Sequence, residues 1–162
     1  MKVFADLHIH IGRSGDGRPV KITAANSLTV ENILYEAAIR KGIQMIGIVD
    51  AGSPGVQGDL EDLLDRELLQ PLAGGGLSFQ GKVALILGIE VETSERKGPG
   101  HFIVYLPTLE LVKAFSAELS KYITNIQLST QRSRLTVEQL WDLAAAYGLS
   151  LIHISEPTRQ AE

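Results

Sequence analysis

Apolar and polar positions along the chain alternate with two periods, and the switches between them predict the elements. Over 2–9 the period is two. Val3, Ala5, Leu7 and Ile9 share one face of a strand and should pack inward, while Asp6, His8 and His10 share the other. Gly12, Gly15, Gly17 and Pro19 make the next stretch a loop. Thr29 then caps a helix with Glu31 in its first turn and Ile33, Leu34, Ala37 and Ala38 as its stripe, ending at Lys41-Gly42. The run 44–49 (QMIGIV), bounded by Gly42 and Asp50, has the pattern of a buried strand. Three glycines and a proline make 50–58 a loop, and 59–69 reads as a helix with Leu60, Leu63, Leu64 and Leu68 buried.

Gly74-Gly75-Gly76 breaks the chain, and 82–92 (KVALILGIEVE) follows as the strongest strand pattern in the sequence. A short charged turn joins it to a further strand over 101–106, which should be its neighbour. Thr108 caps a helix with Leu111, Phe115 and Leu119 on one face, and 123–128 reads as a strand. Thr136 and Gln139 form a capping-box pattern. They open a last helix with Val137, Leu140, Trp141 and Ala144 inward, ending at Gly148. The order β-α-β-α-β-β-α-β-α predicts an α/β fold of parallel strands with outer helices. Active groups in such folds collect at the carboxyl ends of the strands. His8, His10, Asp50 and Glu90 all fall there.

Composition narrows the chemistry. A chain of 162 residues suits one domain, and 44% apolar with 21% charged residues is ordinary for a globular protein. No apolar run reaches transmembrane length, and MKVFADLHIH has no signal-peptide pattern, so a cytoplasmic location away from membranes is expected. The absence of cysteine excludes disulfides, thiolate zinc sites and a cysteine nucleophile. Any metal must therefore use nitrogen and oxygen ligands, which suits zinc, manganese or iron. A net charge of −4 carries no global nucleic-acid signature. Its distribution is more telling. Acid gathers at Asp59, Glu61, Asp62, Asp65 and Glu67, whereas Arg13, Arg18, Lys21, Arg96, Lys97, Arg132 and Arg134 fall in loops. Nothing in the sequence specifies an oligomeric state.

Asp-x-His-x-His on one strand face reads as a metal motif. The alternative is two ordinary half-buried histidines bonded to their neighbours. Glu90 and Glu92 close a very apolar strand and share a face, and a buried carboxylate needs a partner. Glu90, nearest the apolar run, is the candidate metal bridge, and Glu92 a supporting or solvated group. Asp50 sits at a strand end, where an aspartate can equally be a turn former. His101 becomes a candidate ligand because the other groups converge. Arg13 and Arg132 could each hold a phosphate bidentately, or simply be solvated. Asp6, Asp50 and Arg13 are the candidates for catalysis.

DLHIH, GIVDAGSPGV, LGIEVET and GPGHFIVYLP, in this order and spacing, resemble the PHP family of metal-dependent phosphoesterases. ADLHIHIGRS, GRPVKITAANSLT, MIGIVDAGSPGV, KGPGHFIVYLPTLE and NIQLSTQR resemble one branch, the endonuclease Q–like proteins, across most of 1–148. The resemblance implies a distorted (β/α)7 barrel with a multinuclear metal site. It also implies nicking of DNA on the 5′ side of deaminated bases such as uracil or hypoxanthine. By position His8, His10, Glu90 and His101 would be metal ligands, holding two ions of zinc or manganese. Ala51 stands where many PHP proteins carry a histidine, and the later histidine and Asp-x-His have no counterpart.

Residues 1–148 are therefore expected to be the N-terminal portion of an incomplete barrel. The stretch LSLIHISEPTR, 149–159, reads like a translated sequencing-library adapter. Residues 149–162 are accordingly expected to be a non-native tail, and His153 is set aside; a genuine C-terminal strand is the alternative. The expected function is that of a fragment of a DNA-repair endonuclease whose intact parent contacts DNA through basic loops. The alternatives are a small-molecule phosphatase using the same site, or a fragment with no activity.

Overall fold

The computed structural model describes residues 2–149 and, as backbone, 151–154. The elements are β1 (Ala5–Ile9), α1 (Val30–Tyr35), β2 (Met45–Ile48), α2 (Pro54–Asp65), β3 (Leu69–Pro71), β4 (Leu77–Phe79), β5 (Val83–Thr93), β6 (Gly100–Leu106), α3 (Leu109–Leu119), α4 (Val137–Ala146) and β7 (Leu151–Ile154). They form one mixed sheet organised on β5. This eleven-residue strand is long enough to pair with β2 on one side and, end to end on the other, with β4 and then β6. β3 extends the sheet beyond β4, β7 extends it beyond β6, and β1 pairs with β2.

The expected all-parallel arrangement holds only for β1, β2 and β5; every other pairing is antiparallel. The physical reason is connection length. Parallel neighbours need a crossover of a dozen or more residues, which α1 and α2 supply, whereas the six residues between β5 and β6 allow only a hairpin. The triple glycine likewise does not end structure. Gly75 and Gly76, at φ of 100° and 79°, make the tight turn of the β3–β4 hairpin. The predicted adjacency of 82–92 and 101–106 is observed. Among the described residues β1 pairs with β2 alone, so the sheet is open.

Three helix starts follow the predicted caps. Thr29 Oγ1 accepts from the Asn32 N–H, Thr108 Oγ1 from the Leu111 N–H, and Thr136 forms the full reciprocal box with Gln139. Two expectations fail, and the first helix reaches its predicted end at Gly42 with a changed pitch. α2 begins at Pro54, inside the predicted loop, because proline is pre-shaped for a first helical position. After Tyr35 the first helix widens into a π-helical turn, Glu36–Lys41, closed by left-handed Gly42. The 123–128 stretch is irregular rather than a strand; it belongs to a connection between α3 and α4 that bonds to the sheet through Ser133 and Ser94.

Leu85, Leu87, Phe79, Ile46, Ile48, Phe115 and Leu34 are fully buried and form the centre of the core. Edge-on ring contacts of Tyr35 with Phe79, and of Phe115 with Tyr147, tie helices to this layer. Two inward assignments are corrected. Trp141 is 54% exposed, while Leu140 and Ala144 carry the contact of α4 with the core. Val3, Ala5 and Leu7 are also exposed, because β1 is an edge strand and among the described residues no layer covers that face. The alternation in β1 is broken as well. Asp6 lies opposite Ile46 but Ile9 opposite Ile48, so one extra residue bulges between them. Gly47 makes room for the bulge, since a Cβ there would lie 2.7 Å from the Leu7 carbonyl oxygen.

Backbone of the Leu151–Ile154 stretch pairs with β6. The rest of the expected tail lies outside the described residues. Leu85→Ala, in the middle of β5, is expected to destabilise the fold by about 2–5 kcal/mol, and Thr136→Ala, at an exposed cap, by about 1 kcal/mol. Chemical denaturation of the two variants checks the ranking.

Candidate metal centre

The parallel run β1–β2–β5 brings three strand ends together. The Glu90 N–H donates to the Val49 carbonyl and the Ala51 N–H to the Gly88 carbonyl, so the exit of β2 stays locked to β5. His8 and His10 leave β1 on one side of this seam, and Glu90 faces them from the other. Their ligand atoms all lie within 4.8 Å of one another. Glu90 Oε2 is 2.9 Å from His10 Nε2 and 3.6 Å from His8 Nε2. Glu90 Oε1 is 3.6 Å from His101 Nδ1. One buried carboxylate thus presents one oxygen to two histidines and the other oxygen to a third.

Two of the three imidazoles, His10 and His101, are oriented by a second acid. Asp50, buried at the end of β2, lies 3.1 and 3.2 Å from His10 Nδ1 and also accepts the Ile11 N–H at 2.7 Å. This turns His10 Nε2 toward Glu90. Glu92 lies 3.1 Å from His101 Nε2, which turns His101 Nδ1 toward Glu90. A histidine aimed by a carboxylate on its far nitrogen is the usual support for metal ligation. The donor set contains only nitrogen and oxygen, as a chain without cysteine requires, and His8, His10 and Glu90 could hold a metal ion.

Electrostatics follow from this packing. Burial disfavours charge on His10, but hydrogen bonds to Asp50 and Glu90, together with the Asp50 charge, outweigh it and raise the imidazolium pKa to about 9. Burial likewise disfavours charge on Glu90. The bond and charge of His10, with the Thr130 hydroxyl, hold its pKa at about 2. Without a cation the cluster is therefore an internal ion pair.

The remaining predicted residues are placed differently. Asp6 is exposed; its Oδ1 accepts the His8 N–H at 3.2 Å, and it lines a groove of about 560 Å³ with Ile9, Ile33, Ile43 and Ile46. Arg13 folds back on its own loop, donating to the Gly17 carbonyl at 2.8 Å and to Asn26 Oδ1 at 3.4 Å. Arg132 donates to Glu92 Oε1 at 2.8 Å and so touches the edge of the cluster.

Three participants carried no signal in the pattern of the sequence. Ser129 donates a short hydrogen bond to Asp50 Oδ1. Thr130 donates to Glu90 Oε2 at 3.0 Å, and Lys21 donates to Thr130 Oγ1 at 3.0 Å. Thr130 holds φ at 52°, a left-handed conformation that a β-branched residue adopts only under constraint. They lie in irregular chain, where no periodicity reveals which way a side chain points.

No protein-family model matches the chain. It is 46% identical over 133 residues to the uncharacterized protein YqxK of Bacillus subtilis strain 168, a match covering 81% of this chain and 34% of that protein. Among solved structures it is similar to endonuclease Q in complex with a 27-mer duplex substrate carrying an abasic lesion at the active site, at a TM-score of 0.71. It is also similar to the lesion-specific endonuclease PfuEndoQ from Pyrococcus furiosus, at 0.72. Identity is 28% in both cases, over 93% of this chain and 34% of the other. The chain thus spans about a third of the length of the proteins it matches. No helix among the described residues is long and apolar enough to cross a membrane.

The shifted pair makes the stability of the metal-free chain depend on pH. The His10 contribution is complete below its ordinary value of 6.5 and is lost as pH rises through about 9. The Glu90 contribution is complete above its ordinary value of 4.5 and is lost as pH falls toward about 2. Denaturation midpoints measured with chelator present should therefore decline above pH 6.5 in the wild type. That decline should be absent in His10→Gln.

Proposed function

We propose that this chain is the metal-binding part of an endonuclease that nicks lesion-containing DNA, built on an incomplete PHP-type (β/α)7 barrel. The observation that carries the proposal is the Glu90 carboxylate, whose two oxygens face His8 and His10 on one side and His101 on the other. A carboxylate so placed suits a bridge between two divalent ions, zinc or manganese. The likeness to endonuclease Q, which its structure shows on a DNA duplex, supports DNA as the partner.

His8, His10 and Glu90 would hold one ion, and His101 with Glu90 the other. Bound there, the ions would activate water and offset the charge that develops on a phosphodiester. The chain's own contribution is orientation. Asp50 and Glu92 fix the imidazoles of His10 and His101, Ser129 fixes Asp50 and Thr130 fixes Glu90, and Arg132 sits at the rim, where a phosphate could take it from Glu92. We further propose deaminated bases as the lesion and nicking on their 5′ side.

Because the chain spans only about a third of its relatives, activity is proposed for the longer protein. Supplied with manganese or zinc, the full-length protein should nick duplexes containing uracil, hypoxanthine or an abasic site, and chelator should abolish the nicking. Turnover of a generic phosphomonoester without any nicking would instead identify a small-molecule phosphatase. The 162-residue chain by itself should bind metal weakly and not turn over; tight stoichiometric binding with hydrolysis would refute this. In the full-length protein, Asp50→Asn should weaken metal binding by about 10- to 100-fold, as loss of an orienting partner does, which metal titration measures.

A further inference from the structure

Lys21 stands outside the histidine–carboxylate cluster yet is built into its wall. Its backbone N–H donates to the Ile11 carbonyl at 2.9 Å, one residue beyond His10. The preceding Val20 is fully buried, and its carbonyl accepts the Ser129 N–H at 2.9 Å. Residue 21 is thereby held between the turn that carries His10 and the segment that carries Ser129 and Thr130. Its ammonium donates to Thr130 Oγ1 at 3.0 Å, and that hydroxyl in turn donates to Glu90 Oε2, also at 3.0 Å.

Arg132 is paired with Glu92 and Arg18 with Asp16, while Arg13 is held within its own loop by two neutral acceptors, the Gly17 carbonyl and Asn26. Among the described residues Lys21, unlike Arg132 and Arg18, has no acid for a partner: its one hydrogen-bond partner is a neutral hydroxyl, and no carboxylate lies in ion-pair range of it. An ammonium has three donors, so two point elsewhere. The side chain lines a cleft of about 230 Å³ with Ile22, Thr23, Ser129 and Gln131, which reaches the cluster through Ser129 and the neighbouring Thr130.

The carboxylates of the cluster have partners of their own, Glu90 in His8, His10 and His101, Asp50 in His10 and Ser129, and Glu92 in His101 and Arg132. A positive charge here would repel any divalent cation held by His8, His10 and Glu90. Had the side chain only to support Thr130, a neutral amide would serve. What compensates a cation fixed beside a metal centre is an anion arriving from solvent. Lysine is a compact point charge well suited to phosphate oxygen. We propose that Lys21 binds a non-bridging oxygen of the substrate's phosphate and so orients the phosphoester against the metal centre. This assignment rests on the phosphoester reading above and adds the residue that receives the phosphate.

The test titrates inorganic phosphate into the manganese-loaded full-length protein by calorimetry, comparing wild type with Lys21→Gln, Lys21→Met and Lys21→Arg. Thermal midpoint, manganese affinity and nicking of lesion DNA are measured alongside. Phosphate affinity should fall by about 10- to 100-fold in the two neutral variants and be largely kept by arginine, with manganese affinity within about twofold of wild type. Wild-type phosphate affinity in Lys21→Gln, loss of manganese together with phosphate, or a wild type that does not bind phosphate would each overturn the assignment. The two proposals fail separately. Lysine-dependent phosphate binding without nicking sinks the nuclease reading and keeps Lys21. Nicking with phosphate affinity indifferent to Lys21→Gln does the reverse.

Discussion

The structure turns on one constraint: a carboxylate, Glu90, placed near the end of the most apolar strand in the chain. Burying an unpaired charge is expensive, and Glu90 is buried. Its compensation comes from three segments far apart in sequence. His8 and His10 approach from β1, His101 from β6 and Thr130 from the connection after α3. Each segment is held in place partly by what it donates to this acid or to the acids beside it. The same demand that stabilises the metal-free cluster gathers a set of nitrogen and oxygen donors within reach of a single ion.

β5 makes this possible by pairing on both sides at different heights. Its first half lies between β2 and β4, a dry environment that fixes the strand. Its second half pairs with β6 and brings His101 opposite Glu92. Because β1, β2 and β5 run parallel, their carboxyl ends coincide and Asp50 arrives beside His10. The antiparallel hairpin then adds a histidine from a strand running the other way. A sheet of one sense could not have set His101 at the same end from so short a connection.

The cluster is layered. Glu90 meets the imidazoles directly. Asp50 and Glu92 hold the far nitrogens of His10 and His101, and Ser129, Thr130, Arg132 and Lys21 touch those carboxylates or each other. The outermost members come from irregular chain, and Thr130 pays for its position with a left-handed backbone. Strain of this kind persists where surrounding bonds over-determine it. Here those bonds include the Ser129 N–H to the Val20 carbonyl and the Ser133 N–H to the Glu92 carbonyl.

Much of this was legible in the sequence, for local reasons. Side-chain period and capping chemistry depend on residues a few positions apart, so the long strands, the three threonine caps and the His8, His10 and Glu90 candidates could be read directly, with His101 added only because these converge and Asp6 falling outside the cluster. The glycine and proline clusters misled, because a proline can open a helix as well as break one and three glycines can turn a hairpin as well as end a strand. Trp141 and the apolar side chains of β1 misled in another way. A hydrophobic residue faces inward only if something lies over it, and that is a property of neighbouring layers. The sense of the β5–β6 pairing follows from loop length once adjacency is known. The β1 bulge, the partners of Asp50 and Glu92, and the places of Ser129, Thr130 and Lys21 required the tertiary structure. They depend on contacts spanning from 9 to more than 100 residues, and no local pattern in the sequence encodes which distant backbone will come alongside.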